Sequence, residues 1–324
     1  MNSKTKIRDY LFDNYKAILI FLVVVGHFTG PSEETNQFLY LLKWIIVSFH
    51  MPAFIFISGY FSKRAAALPE LIKRLAVPYL VYEVIYYLFY TYIMHKETGL
   101  YLLRPKFTLW YLMVLFFWKM ITPSVKKVPH YMIWTFVAGI LIGLSDIPNN
   151  FLSIPRALVF YPYFLAGTNF DRERIPKLRS RKMQWTFAGL VLLISFCVCI
   201  AARYGSVSMK VFYGRYNYVY LNQGILEGMI WRIAGYVIGF SMTYALMALI
   251  PERKTFFSYI GTRTMAIYLF HGLAYSYLEY CTGILADITS PGGTALLLAG
   301  CAAVTALFSQ MPFTKFTNKI SHLY

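Results

Sequence analysis

The stretch DNYKAILIFLVVVGHF, residues 13–28, is an almost unbroken apolar run with a lysine near one end and a histidine near the other. At about 100° and about 1.5 Å per residue, the eleven steps from Lys16 to His27 return to nearly the same helical face, about 16 Å further along the axis. A helix of this composition belongs in hydrocarbon, where an ionisable side chain is costly unless it faces a bundle interior, a partner or water. His27 therefore marks a buried face, and the rest of the chain has to supply what surrounds it.

The remainder has the same character. Of 324 residues, 58% are hydrophobic, 19% aromatic and only 14% charged, and the mean hydropathy is +0.51. That composition is expected of an all-α, polytopic membrane bundle forming one membrane-embedded domain over residues 1–324, with no separate soluble domain. Runs long enough to cross a hydrocarbon core fall at about 14–29, 38–61, 75–94, 107–122, 131–147, 151–168, 183–202, 224–250, 264–281 and 294–312, about ten transmembrane helices in all. The basic leader MNSKTKIRDYLFDNYK has no small-residue cleavage site after it, so the first run reads as an uncleaved signal anchor.

A formal charge of +17 would suit nucleic acid, but its distribution argues against that partner. With the N-terminus cytoplasmic, segments 1–16, 62–74, 119–130, 169–182, 251–263 and 313–324 hold 22 of the 31 Lys and Arg residues, and the opposite loops hold 6. Excess positive charge marks the cytoplasmic side, which places both termini there, in a multi-pass protein of a bacterial-type plasma membrane. Cys197, Cys199, Cys281 and Cys301 all lie within apolar runs without zinc-ligand spacing, and read as small packing residues; no metal site is expected.

The ionisable residues inside the runs are His27, Lys43, His50, Glu83, Arg156, Glu227, Arg232, His271 and Glu279. His50 falls about halfway along the second run and His271 about halfway along the ninth, so three of the six histidines are expected in one layer. Glu83 lies near the middle of the third run, where a carboxylate can orient an imidazole for general-base chemistry. A lone histidine in such a helix is otherwise an interhelical hydrogen-bonding group. Glu227, Arg232 and Glu279 lie nearer run ends or pair with one another, whereas Arg156 and Lys43 read equally as snorkelling cations or site residues. In SFHMPAFIFISGYFSKR, residues 48–64, Pro52 frees a carbonyl, Ser58-Gly59 permits close helix approach, and Lys63-Arg64 supply phosphate-capable cations. The loop holding Tyr213, Arg215, Tyr216 and Tyr218 reads as an aromatic belt or a sugar-stacking surface.

Lys16 and His27, with ten residues between them, resemble the Arg/Lys-x10-His signature of the acyltransferase family 3 membrane proteins. FHMPAFIFISGYF, residues 49–61, is similar to the second-helix block of the fucose 4-O-acetylase-like branch. KRLAVPYL, TLWYLMVLFF, YFLAGTNF and SYIGTRTMAIYLFHG resemble later blocks in family order. The family's Arg-x-x-Arg is reduced here to Lys73-Arg74, with Leu71 three residues before Arg74 and Val77 three residues after it.

The resemblance implies an integral membrane O-acyltransferase that takes an acyl group, usually acetyl, from cytoplasmic acyl-CoA to a hydroxyl of a cell-surface glycan or lipid-linked sugar. No cofactor is held permanently; acetyl-CoA is the donor substrate, and the partners are the acceptor and membrane lipids. Lys16 and His27 match the family's essential pair. His27 is expected to act as general base or acyl carrier, with Glu83 or His50 orienting it. Arg64, Lys73 and Arg74 would hold the coenzyme phosphates. Trp110 and Tyr111 would line the pocket, and Ser58, Arg156 and His271 are further pocket residues. The rival reading is a proton-coupled transporter or flippase for a polar solute or glycan precursor, in which the same histidines and Glu83 relay protons.

Overall fold

The computed structural model describes residues 9–321, of which the great majority are helical, with no strand among them. Five helices are long and apolar enough to cross a membrane: α1 (Tyr10–Phe28), α2 (Gln37–Tyr60), α9 (Arg181–Tyr204), α10 (Ile225–Leu249) and α12 (Pro291–Phe308). Between them run α3 (Leu68–Leu71), α4 (Val77–Leu88), α5 (Trp110–Val125), α6 (Tyr131–Leu141), α7 (Ile154–Asn169), the single turn α8 (Ile175–Leu178) and α11 (Thr264–Tyr277). The last helix, α13 (Met311–Ile320), is short and more polar.

Three π-helical turns, Ile72–Ala76, Phe89–Ile93 and Leu278–Thr282, join or extend α3, α4 and α11. The third expected run is thus one helical rod interrupted by π turns, which widen the backbone and re-aim the side chains on either side. The expected run at 107–122 begins instead at Trp110, because Phe107 has a left-handed φ of 45° that no helix accommodates. Likewise the run expected at 294–312 ends at Phe308, and the chain turns into α13 at Met311.

The helices alternate between two faces of the bundle. At one face the turn after α1 is tied to the turn before α12: Ser32 hydroxyl donates to the Leu285 carbonyl, and Asn36 donates to the Ile288 carbonyl at 3.1 Å. At the other, Asn14 donates to the Pro251 and Arg253 carbonyls beyond α10 at 2.8 and 2.9 Å. Arg179 closes the end of α10 by donating to the carbonyls of Met247, Ala248 and Ile250. This second face carries Lys63, Arg64, Lys73, Arg74 and Lys126.

The tightest crossing is α2 on α7, as Ser58-Gly59 led one to expect. A Cβ at Gly59 would overlap the Phe164 carbonyl, and a Cβ at Gly167 would overlap that of Phe56, so each glycine admits the other helix's backbone. Pro52 sits inside α2 without breaking it. Cys301 is fully buried between helices, while Cys197 and Cys281 are exposed on the outside of the bundle.

Candidate active site

A cavity of about 220 Å³ opens among α1, α2, α5, α7 and α11, closed on one side by the turn Met209–Tyr213. Its polar lining comes from helix ends at one face: His27 near the end of α1, Lys43 in the second turn of α2, Trp110 at the start of α5, Arg156 in the first turn of α7. His50 and Tyr111 lie deeper, and Ile20, Val23, Phe54 and Phe160 supply apolar wall. From Lys43 to Phe54 the α2 wall rises about 16 Å, so the cavity reaches well into the bundle from that face. One turn below Phe54, Ser58 lies outside the lining and hydrogen-bonds to the Tyr111 hydroxyl.

His27 and His50 share this cavity, and the ring of His271 lies 5.5 Å from that of His27. The three histidines expected in one layer do converge. The Nδ1 of His50 lies 2.8 Å from the Ile46 carbonyl and that of His271 3.0 Å from the Ile267 carbonyl. A carbonyl only accepts, so each Nδ1 carries a proton and each neutral ring has its lone pair on Nε2. The His27 imidazole makes no hydrogen bond among the described residues; it rests against Phe107 at 4.7 Å and Tyr275 at 6.0 Å between centroids.

Other expected residues stand apart. Lys16 shares an azimuth with His27 but not its surroundings: it pairs with Asp13 at 3.2 Å and lies over the Phe61 ring at 5.1 Å, toward the basic face. Arg64, Lys73 and Arg74 are exposed on that face, with Arg74 paired to Glu70 at 3.1 Å.

Glu83 does not reach an imidazole. It is fully buried and accepts from the Lys106 backbone N–H at 2.6 Å, with the Lys106 ammonium at 3.5 Å. The next residue is Phe107, stacked on Tyr275 at 5.2 Å and in contact with His27, so the carboxylate fixes the wall against which His27 rests. The Tyr268 hydroxyl, donating to the Thr108 carbonyl, secures the same segment from α11.

Arg156 and Lys43, left open between snorkelling and site, both line the cavity. Lys43 is paired with Glu33 at 2.5 Å, while the Arg156 guanidinium lies 4.7 Å over the Trp110 ring. Arg232 is not paired with Glu227 or Glu279; it donates to the Tyr216 carbonyl at 3.3 Å and lies over Tyr218. The aromatic loop divides: Tyr216 and Tyr220 stack on each other at 4.3 Å, but Phe212 and Tyr213 turn into the cavity. Burial pushes the Tyr213 phenol up to about 12, so it stays a hydrogen-bond donor.

Phe107 and Tyr275 do not stand out in the sequence, and Tyr268 does so only within the block SYIGTRTMAIYLFHG, with no role attached. Tyr268 and Tyr275 share the helical face of His271 at one-turn intervals, a periodicity present in YLFHGLAY. Phe107 left no such signal, since its position depends on the long-range bond from Glu83.

Imidazoles facing a cavity inside an apolar helical bundle are suited to moving protons to and from a bound hydroxyl. The family model described as "Acyltransferase domain" (Acyl_transf_3) matches residues 9–310, nearly the whole chain, and the chain belongs to that family. It is an acyltransferase, and its apolar helices fit a membrane protein. No curated protein and no solved structure matches it.

Proposed function

We propose that this chain is a membrane-embedded O-acyltransferase of the fucose 4-O-acetylase-like branch, moving an acetyl group from acetyl-CoA to a hydroxyl of a glycan or lipid-linked sugar. Its ten helical rods cross the plasma membrane as one unit, with the basic face and both termini on the cytoplasmic side. Arg64, Lys73 and Arg74 hold the coenzyme phosphates there, where exposed cations can make charge-assisted hydrogen bonds. The acceptor sits in the cavity at the opposite end, flanked by Trp110 and Tyr111.

The observation that carries this reading is the His27 imidazole, which faces the cavity and makes no hydrogen bond among the described residues. It takes the proton of the acceptor hydroxyl as oxygen attacks the thioester carbonyl; the C–O bond forms, the C–S bond breaks, and the proton passes to the departing thiolate. His50, with its Nε2 lone pair fixed by the Ile46 carbonyl, steadies the acceptor or shares the proton. The acyl group has to cover roughly the rise from Lys16 to His27, about 16 Å, past the Ser58–Tyr111 contact.

The test is incubation of membranes with radiolabelled acetyl-CoA and a panel of glycan acceptors, comparing wild type with His27→Ala. Label entering an acceptor in the wild type and lost in the variant supports the reading. Equal labelling removes His27 from the chemistry.

A further inference from the structure

The arginines of this chain that serve structure are easy to recognise. Arg179 donates to three carbonyls at the end of α10, Arg263 to the Ser309 carbonyl at 2.9 Å, and Arg232 to the Tyr216 carbonyl. Arg156 differs from all of them. Among the described residues its guanidinium has no hydrogen bond and no carboxylate partner, and it faces the cavity with its Cζ 4.7 Å from the centre of the Trp110 ring, which stacks in turn on Phe160 at 5.9 Å. Keeping a cation unpaired in apolar surroundings is expensive, and stacking on an aromatic face offsets only part of that cost.

The rest of the cavity has the same sign. Among the described residues its lining includes Lys43 and no acidic side chain. The carboxylate nearest to hand, on Glu33, is engaged with Lys43 and a third exposed. Arg215, on the loop above, donates to the Asn149 side chain at 3.0 Å and not to an acid. An arriving anion therefore meets an unpartnered guanidinium fork and an ammonium whose present partner sits on a turn between Gly30 and Asn36.

We propose that the cavity selects a ligand bearing an anionic oxygen group, a carboxylate or a phosphate, which Arg156 grips in its fork and Lys43 supports after exchanging Glu33 for it. This rests on the acyl-transfer reading for the identity of the ligand: the anion belongs either to the acceptor, an acidic or phosphorylated sugar, or to a dicarboxylic acyl group. Its chemistry is the same in both cases. A planar guanidinium resting over an aromatic ring suits two-point recognition of carboxylate or phosphate, which a neutral hexose cannot satisfy.

The purified full chain in detergent is titrated with glucuronate, glucose and inorganic phosphate, reading thermal stabilisation, for wild type, Arg156→Gln, Arg156→Lys and Glu33→Gln. Glucuronate and phosphate are expected to stabilise the wild type at lower concentration than glucose does. Arg156→Gln should weaken the anions by about ten- to a hundred-fold, the range of a charge-assisted contact, while Arg156→Lys retains part of it. Glu33→Gln, which frees Lys43, should tighten them; it also tests the idea if Arg156→Gln does not fold. Glucose and glucuronate acting alike on the wild type, or weaker anion binding in Glu33→Gln, would overturn the proposal.

Transfer from labelled acetyl-CoA to glucose or glucuronate, and from succinyl-CoA to glucose, identifies which substrate carries the anion. Anion binding that depends on Arg156 without transfer to any acceptor defeats the acyl-transfer reading and leaves the anion site standing. Transfer to neutral and acidic sugars at equal efficiency, with both equally sensitive to Arg156→Gln, does the reverse.

Discussion

The rings of His27 and His271 lie 5.5 Å apart, and the Nε2 of His271 is buried with no hydrogen-bond partner among the described residues. An unsatisfied buried acceptor costs on the order of 1–3 kcal/mol, so its retention beside a cavity-facing imidazole points to use. With its own Nδ1–H committed to Ile267, the neutral His271 ring presents a lone pair in the neighbourhood of His27.

The two histidines should separate kinetically. His27→Ala is expected to lose about 10²- to 10⁴-fold in kcat, the usual worth of general-base assistance. His271→Phe, which keeps a ring against Phe107, should lower kcat by about ten-fold with little change in KM and shift the pH profile. Steady-state labelling over a pH series checks both, and an unchanged pH profile for His271→Phe would remove it from the proton path.

Glu83 and Lys106 form a pair buried at 0% and 8% exposure. Removing one partner leaves a buried charge, so Glu83→Ala should destabilise by about 3–5 kcal/mol, while Glu83→Gln with Lys106→Met recovers much of it. Thermal unfolding followed by size-exclusion chromatography measures this. Since Phe107 is anchored by the same pair, the double variant should fold yet transfer more slowly.

Lys16 sits at the basic end of α1 beside Asp13, about 16 Å from His27 along the axis. Lys16→Ala is therefore expected to raise KM for acetyl-CoA and leave the pH dependence of kcat as in the wild type. A displaced pH profile would instead couple Lys16 directly to the proton of His27.

At Gly167 a methyl group would meet the Phe56 carbonyl, which is backbone and cannot swing aside. Gly167→Ala should cost about 1–3 kcal/mol, as other overpacking does, seen as a lower melting temperature. Gly189, whose added Cβ would meet nothing within 4 Å, is the control. Equal melting of the two variants would show that the α2–α7 contact does not limit stability.

What could be read in advance follows from range of interaction. The azimuth of His27 and the convergence of His50 and His271 depend on helix period and span direction, both local properties of the chain. The pairing of Glu83 with Lys106 crosses from a helix to a loop with no helical period of its own, and with it the placement of Phe107 is out of reach of a local reading. Lys16 shows the limit of a helical-face argument: sharing an angle around the axis does not put two residues in one site when eleven residues of rise lie between them. Arg156 remained open because snorkelling and site differ only in what the guanidinium meets, and that is a property of α5 and its Trp110.

The glycine contact between α2 and α7 bears on how the two ends of the molecule communicate. Helices whose backbones touch at Gly59 and Gly167 cannot slide or part there without loss of the contact, so α2 and α7 behave as one stiff blade. On its other side α2 meets α5 through side chains alone, the Ser58 and Tyr111 hydroxyls and the edge of Phe54 against the Tyr111 ring. The fold thereby sets a seam of backbone against backbone beside a seam made of side chains, and only the second can rearrange by rotamer changes alone.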